Sequence, residues 1–580
     1  MNGPVDSAAA HPLAAGARPF RRAPVAWGAR LGWALLVLLA TAMALLVALP
    51  LLRLVLTSVL TEGGLAVSPY VEAFGKWRHV EALLRSVVLG VGAAALSAAA
   101  GVTMAWLVSR TDMPGGRLIT LAVVATFVMP PYLGAVAWML LAGPNAGWLN
   151  KTWLALGGSA PLLNIYSFEG LVFLVALYLF PYHFVFARSA LDMVSSELED
   201  AATILGARRR TTTLRITLPM IMPSLVGASI IVFLEAITLF GTPALIGIPA
   251  GFTVATTQLA QFFEFPLRVE AAAAYSMALL LLTVLLLAWQ RWYLTRRGYT
   301  SLSGKGGERR PVELGRWRFA ALLFCLAVAT LAVLAPVAVL VQAAFSKAWS
   351  AGFSLSNLTL DNFHYILVGH QSAGLSIRNT FVYSVITAML AILVALVVAY
   401  ANARKLVPGA ALLQTVCTLP FAIPGIVLAV AFYATFAPPP FALYGTGTII
   451  VLAFLVRNLP IAVVQAAASV RSLNPEMEDA ARILGASRLT VLRRIVGPLL
   501  RGGMIGAWLL VFIGATRELS TAIFLTGPKT KVMSVLMLDL SEEGNFETLA
   551  ALGLLLLAVA CVVVVVGQRI AGRDFMLRRT

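Results

Sequence analysis

The chain has 580 residues, of which 60% are hydrophobic and only 12% charged, and its mean hydropathy is +0.89. A soluble domain carries about 25% charged residues, so this chain lacks the polar surface to cover a water-soluble body. Composition excludes a disordered chain, a collagen, a disulfide scaffold and a cytosolic enzyme, and leaves an all-α integral membrane protein. The net charge of +18 falls in short loops between apolar runs, which argues for membrane orientation and against nucleic acid.

Apolar runs of roughly 18 to 27 residues, each able to cross a ~30 Å hydrocarbon core, predict twelve spans. In chain order they are 31–55, 83–108, 118–142, 169–190, 222–246, 271–293, 319–344, 379–402, 411–436, 446–470, 503–527 and 549–568. The first lacks a clean small-residue cleavage site and reads as a retained helix. Placing the N-terminus inside puts 31 of the 43 Lys+Arg on inside segments and 8 on outside loops. Arg53, Arg85, Arg457 and Arg517 fall within spans. That bias predicts two cytoplasmic termini and a multi-pass protein of a bacterial inner (plasma) membrane.

The loop 291–318 is Gly-rich and charged, and no apolar period survives in it. It divides the chain into a first half over 31–290 (core 83–290) and a second over 319–570 (core 376–570). The segment 1–30 reads as a disordered cytoplasmic tail with a basic flank, and 571–580 as a second cytoplasmic tail. Cys325, Cys417 and Cys561 lie in apolar stretches without CxxC spacing, so neither a disulfide nor a zinc site is predicted.

An internal repeat carries the strongest signal. Glu199-Asp200-Ala201-Ala202-Thr203-Ile204-Leu205-Gly206-Ala207 recurs as Glu478-Asp479-Ala480-Ala481-Arg482-Ile483-Leu484-Gly485-Ala486, with eight of nine positions identical at an offset of 279. Thirteen residues after each glycine comes a proline, Pro219 and Pro498. Upstream the offset is 293 to 294, pairing Arg85 with Arg378 and Pro114-Gly115 with Pro408-Gly409. The shift predicts about 15 extra residues in the first half, around Gly143–Gly170. Six spans per half make the two units parallel.

Both copies fall in inside loops after the fourth span of their half. Ser196 with Glu199 forms a capping-box pattern, and Asn474 with Pro475 a cap and first helical residue. Leu198, Ala201, Ala202 and Leu205 share a helical face, as do Met477, Ala480, Ala481 and Leu484. Gly206 and Gly485 sit where a helix C-terminus takes positive φ. An Arg-rich helix follows, and the prolines close each loop. A short helix-turn-helix results, with its alanines exposed to whatever covers it.

This motif resembles the EAA loop of permease subunits of binding-protein-dependent ABC importers: Glu-Ala-Ala, three residues, Gly, nine residues, then Ile-x-Leu-Pro. The acidic position falls on Asp200 and Asp479, the alanines on Ala201, Ala202, Ala480 and Ala481, and the glycines on Gly206 and Gly485. Ile216, Leu218 and Pro219 complete the first copy, whereas Gly497 replaces the leucine between Ile495 and Pro498 in the second. The resemblance implies a type I importer permease fold. It further implies that Glu199, Asp200, Ala201, Ala202, Gly206, Pro219, Glu478, Asp479, Ala480, Ala481, Gly485 and Pro498 couple the chain to an ATPase. Two ATPase copies, using ATP and Mg, and an outside solute-binding protein are the implied partners, with membrane lipid around and no homo-partner required.

Two stretches, Phe240 to Pro249 and Arg517 to Leu525, are similar to those of iron(III)-type fused permeases, as is the linker around Gly304-Lys305-Gly306 and Leu314-Gly315-Arg316-Trp317. Iron(III) is the implied cargo; thiamine, 2-aminoethylphosphonate, a polyamine or another small solute are the alternatives within the class. No GxxxxGK followed by Ser or Thr occurs, so ATP hydrolysis is assigned to a separate subunit and the chain is not an enzyme by itself. A secondary transporter would have similar halves but needs no docking motif, and Ser109–Leu118 matches its second-to-third-span loop poorly. No HExxH, GxSxG or paired Asp motif supports a membrane-embedded enzyme.

Ionisable residues within spans face a cavity or a partner. Glu235, Arg457, Arg517 and Glu518 are therefore candidates for a substrate pathway, with mutual pairing of the last three as the competing expectation. No stable metal site is expected. His183 reads as a helix-packing histidine, and Phe262–Pro266 as an outside loop.

Overall fold

The structure is a computed structural model that describes residues 34, 37–61, 63–194, 201–202, 204–296 and 311–571. The predicted 1–30 tail, linker residues 297–310, the 572–580 end of the C-terminal tail, Ser196, Leu198, Glu199 and Asp200 lie outside the described residues.

Among the described residues, ten helices have the length and apolarity to cross a membrane: α1 (Val37–Val59), α2 (Trp77–Arg110), α5 (Phe168–Met193), α6 (Thr213–Thr238), α7 (Val269–Tyr293), α8 (Trp317–Ala344), α9 (Gln371–Ala403), α12 (Gly447–Arg471), α13 (Leu489–Thr516) and α14 (Phe546–Gly567). Two bent pairs complete the set. They are α3 (Gly116–Val128) with α4 (Pro131–Ala142), bent by 102°, and α10 (Ala410–Ala422) with α11 (Gly425–Phe436), bent by 110°. The third and ninth predicted spans are thus corrected from straight helices to broken ones. Hydropathy runs straight across both breaks, but the residue before a proline is pushed out of the α region. Met129, before Pro130, has ψ 124°, and Ile423, before Pro424, has ψ 121°.

Two further predicted spans shift. The fifth, 222–246, and the eleventh, 503–527, become α6 and α13, which start 9 and 14 residues earlier and end at Thr238 and Thr516. Pro219 and Pro498 do not close their loops; they lie inside continuous helices. Each follows a π turn, Thr213–Thr217 or Leu492–Val496. There the Leu218 N–H reaches back five residues to the Thr213 carbonyl. A wider turn relieves the clash and the missing donor that a proline imposes on an α-helix.

The halves correspond in element order: α2 with α9, α3–α4 with α10–α11, α5 with α12, α6 with α13 and α7 with α14. The expected insertion is present, since 25 residues separate Ala142 from Phe168 and 10 separate Phe436 from Gly447. The longer segment holds a short helix, Trp148–Ala155, anchored by buried Asn150, which donates to the carbonyls of Gly143 (2.9 Å) and Leu163 (2.7 Å).

Small residues bring helices close, as bilayer-embedded packing requires. A Cβ on Gly101 of α2 would lie 2.5 Å from the Phe180 carbonyl oxygen of α5. His183 is fully buried there between Ser97 and Ser229, at 3.0 Å to each hydroxyl. It is the packing histidine expected. At the repeat-equivalent places stand Ala391, Ala462 and Trp508. The described end of the linker docks on the α2–α3 turn. Val312 N–H donates to the Arg110 carbonyl (2.8 Å), and Leu314 N–H to Asp112 Oδ1 (2.8 Å).

Candidate functional site

The second copy of the repeated motif forms the helix Pro475–Ile483. Asn474 caps it as expected, accepting from the Glu476 N–H at 3.0 Å. Its end is a Schellman turn: Ala486 N–H donates to the Ala481 carbonyl at 3.0 Å, and Gly485 takes φ +85°. The first copy ends the same way, with Ala207 N–H on the Ala202 carbonyl at 2.9 Å and Gly206 at φ +79°. A Cβ at either glycine would meet nothing within 4 Å. Backbone conformation alone therefore demands glycine in the isolated chain.

The two copies expose the same apolar pair. Ile204 and Leu205 are 85% and 86% exposed, Ile483 and Leu484 85% and 87%. The predicted common face is corrected here: the Schellman turn swings Leu205 and Leu484 outward, away from the alanine stripe. Each alanine pair splits, with Ala201 and Ala480 exposed and Ala202 and Ala481 turned inward. Asp479 is exposed.

Glu478 does not face outward. It is buried, accepting from the Tyr400 hydroxyl at 2.6 Å and from Arg404 Nε at 2.8 Å, with Arg404 Nη2 also at 2.8 Å. Arg404 further donates to the Leu473 carbonyl at 3.3 Å. The motif's first acid is therefore a clamp onto the end of α9. The first half repeats the frame: Arg110 donates to the carbonyls of Leu191 (2.6 Å) and Val194 (2.9 Å). Sequence reading missed Arg110, Arg404 and Tyr400. The usable signal was the 294-residue offset, which pairs Arg110 with Arg404 as it pairs the glycines before α3 and α10.

The intramembrane charges gather at the helix breaks. Arg517 Nη1 donates to the Phe127 carbonyl at 2.8 Å, and its guanidinium lies 5.4 Å from the centre of the Phe127 ring. Arg457 Nη1 donates to the Ile423 carbonyl at 3.2 Å and lies 3.9 Å from Glu518. Glu518 accepts from the Thr521 N–H and hydroxyl, both at 3.0 Å. These three residues hold the carbonyls and turns that the bends release. Breaking a span leaves carbonyls without helical partners, and a membrane interior offers no water to replace them.

Glu235 is placed differently. It is half-buried on α6 and lines a small cavity with Thr238, Thr283, Ile423 and Arg457. No ion pair or hydrogen bond to its carboxylate occurs among the described residues. Its repeat-equivalent is Gly514, where a Cβ would fall 2.4 Å from Asn458 Oδ1. Only one half can therefore carry a side chain at this level. No group of three metal-binding side chains occurs among the described residues.

The sequence profile of a family described as the binding-protein-dependent transport system inner membrane component matches residues 97–299 and 390–575. The chain is 27% identical over 452 residues to a ferric transport system permease protein, FbpB, of Actinobacillus pleuropneumoniae, covering 77% of this chain and 64% of that protein. It is 25% identical over 561 residues to the ABC transporter permease protein y4fN of Sinorhizobium fredii, covering 93% and 96% of the two chains. It is 22% identical over 520 residues to the Fe(3+)-transport system permease protein FbpB 2 of Haemophilus influenzae, covering 88% and 92%. Two matched copies, falling on the two halves of the fold, place the chain in the family of binding-protein-dependent transport system inner membrane components.

Proposed function

We propose that this chain is the transmembrane permease of an ATP-driven importer of a bacterial inner membrane. One observation carries the reading: two surface turns, at equivalent places, each present an Ile-Leu pair more than four-fifths exposed before a positive-φ glycine. Burying one such side chain stabilises a complex by about 1.5–3 kcal/mol, so two identical apolar knobs suit two copies of one partner. That partner is an ABC ATPase, which uses ATP and Mg, since the chain has no phosphate-binding loop of its own. Exposed Asp479 borders the contact on the second turn, and the Glu478–Arg404 clamp makes that turn rigid enough to transmit motion. Both termini and both turns lie in the cytoplasm, and a solute-binding protein docks on the opposite face.

The proposed cargo is iron(III), supported by the similarity to two ferric permeases. Glu235 suits it. A single carboxylate stabilises a passing hard cation without the multidentate capture that would trap it. Arg457, Arg517 and Glu518 shape the pathway by holding the helix breaks. The test is uptake of radiolabelled ferric iron by cells carrying or lacking the gene, with ATP depletion as control. Loss of ATP-dependent uptake on deletion is expected. Unchanged iron uptake refutes the cargo and moves the search to thiamine, 2-aminoethylphosphonate and polyamines.

A further inference from the structure

A groove of about 200 Å³ opens between three helices of the first half, lined by Val102, Trp106, Leu191, Thr213, Thr217 and Ile221. It exceeds the ~150 Å³ of a cavity that takes up benzene, and its walls are almost wholly apolar. Val102 stands eight residues before the end of α2, or about 12 Å from it at ~1.5 Å per residue. A single leaflet of hydrocarbon is about 15 Å deep, so the groove lies within one leaflet, on the side of the repeated turns.

Arg208-Arg209-Arg210 precede the groove-lining Thr213 in the chain, Arg209 by four residues. Arg208 is exposed and makes no ion pair among the described residues. The second half differs in sequence at both features. There Ser487-Arg488-Leu489 replaces the arginine run, and Leu492 and Val496 replace Thr213 and Thr217. Val470, Val496 and Leu500 pack there into a continuous apolar cluster with Leu396 and Tyr400 against it. The groove's Thr213 and Thr217 and the three-arginine run thus belong to one half and have no counterpart in the other.

We propose that the groove seats an acyl chain of one anionic phospholipid, with its phosphate headgroup drawn to the level of the Arg208–Arg210 run. Basic surfaces between membrane helices on the cytoplasmic side recognise such headgroups. The proposal rests on the cytoplasmic placement of the repeated turns given above. The lipid bears on the π turn Thr213–Thr217, the first turn of α6, which follows the first repeated turn in the chain. One lipid, on one half only, makes the two coupling arms mechanically unequal.

The test is lipid retention by the purified full-length chain, counted by native mass spectrometry. The chain is reconstituted in phosphatidylethanolamine vesicles with or without phosphatidylglycerol and extracted into neutral detergent. Wild type retains one phosphatidylglycerol. Thr213→Leu with Thr217→Val, the second half's own residues, fills the groove and loses it. Arg208→Ser with Arg210→Leu leaves the groove open and weakens retention roughly thirtyfold, at about one decade per 1.4 kcal/mol and ~1 kcal/mol per surface charge. Equal retention of both lipids by wild type, or unchanged retention in either variant, overturns the proposal. Because retention needs no ATPase and no cargo, its outcome is independent of whether the chain imports iron.

Discussion

Removing the Glu478 carboxylate tests whether the coupling turn is held by its clamp. The helix Pro475–Ile483 has nine residues, too few to be stable alone in water, so its order must come from contacts. The carboxylate takes charge-assisted bonds from Arg404 and a phenol bond from Tyr400, and the Glu478 and Arg404 side chains are only 6% and 14% exposed. Breaking such a buried pair from one side costs about 3–5 kcal/mol, because the remaining charge is left uncompensated. At the lower bound, Glu478→Ala raises the opening constant of the turn roughly a hundredfold. Hydrogen exchange of the 480–486 amides in the reconstituted chain reads this directly, and ATP-driven uptake reads its consequence. Adding Arg404→Leu removes the stranded charge, so the double variant loses less than the two single losses summed. Wild-type exchange in Glu478→Ala, or strict additivity in the double variant, would refute the clamp.

Three further outcomes follow from the same geometry. Gly206→Val with Gly485→Val places side chains in open space at positive φ, costing about 1–2 kcal/mol of backbone strain per site; membrane insertion persists while uptake is abolished, and normal uptake by the double variant sinks the coupling assignment. Ile483→Ser with Leu484→Ser removes two exposed apolar side chains and lowers ATPase co-purification by roughly a hundredfold or more; unchanged co-purification shows that the partner docks elsewhere. Burial, with Asp539 and Glu264 nearby, pushes the Glu542 carboxyl above its ordinary 4.5. The native state then holds that proton more tightly than the unfolded chain, so the contribution of Glu542 to stability falls as pH rises above 4.5. Glu542→Gln therefore raises the melting temperature of the solubilised protein at pH 7 but not at pH 4, and an equal change at both values contradicts the assignment.

The repeated motif was legible because everything it needs is local. A cap, a positive-φ glycine and a following basic helix lie within about twenty residues, and duplication at a constant offset separates signal from chance. The His183 packing role and the fifteen-residue insertion were legible for the same reason: one is an isolated polar residue in an apolar run, the other a break in register between two copies. The outward turn of Leu205 and Leu484 was misread because helical periodicity assumes the helix continues past the residue where the Schellman turn ends it.

The sequence by itself determined a membrane protein of two parallel halves with a repeated surface turn on each, since apolar length, basic-residue placement and repetition are properties of the chain as a string. Only the tertiary structure decided what the charges do. Arg517 meets the Phe127 carbonyl 390 residues away, and Arg457 meets Ile423 and Glu518. Those pairings exist because two spans break at prolines, and hydropathy averaged over a span cannot register a bend of 102° or 110°. The same holds for Glu478: Arg404, half-buried at the end of α9, turns it inward. Partners so far apart in sequence are set by packing, where an unsatisfied carbonyl or charge is costly enough to select the one side chain that reaches it.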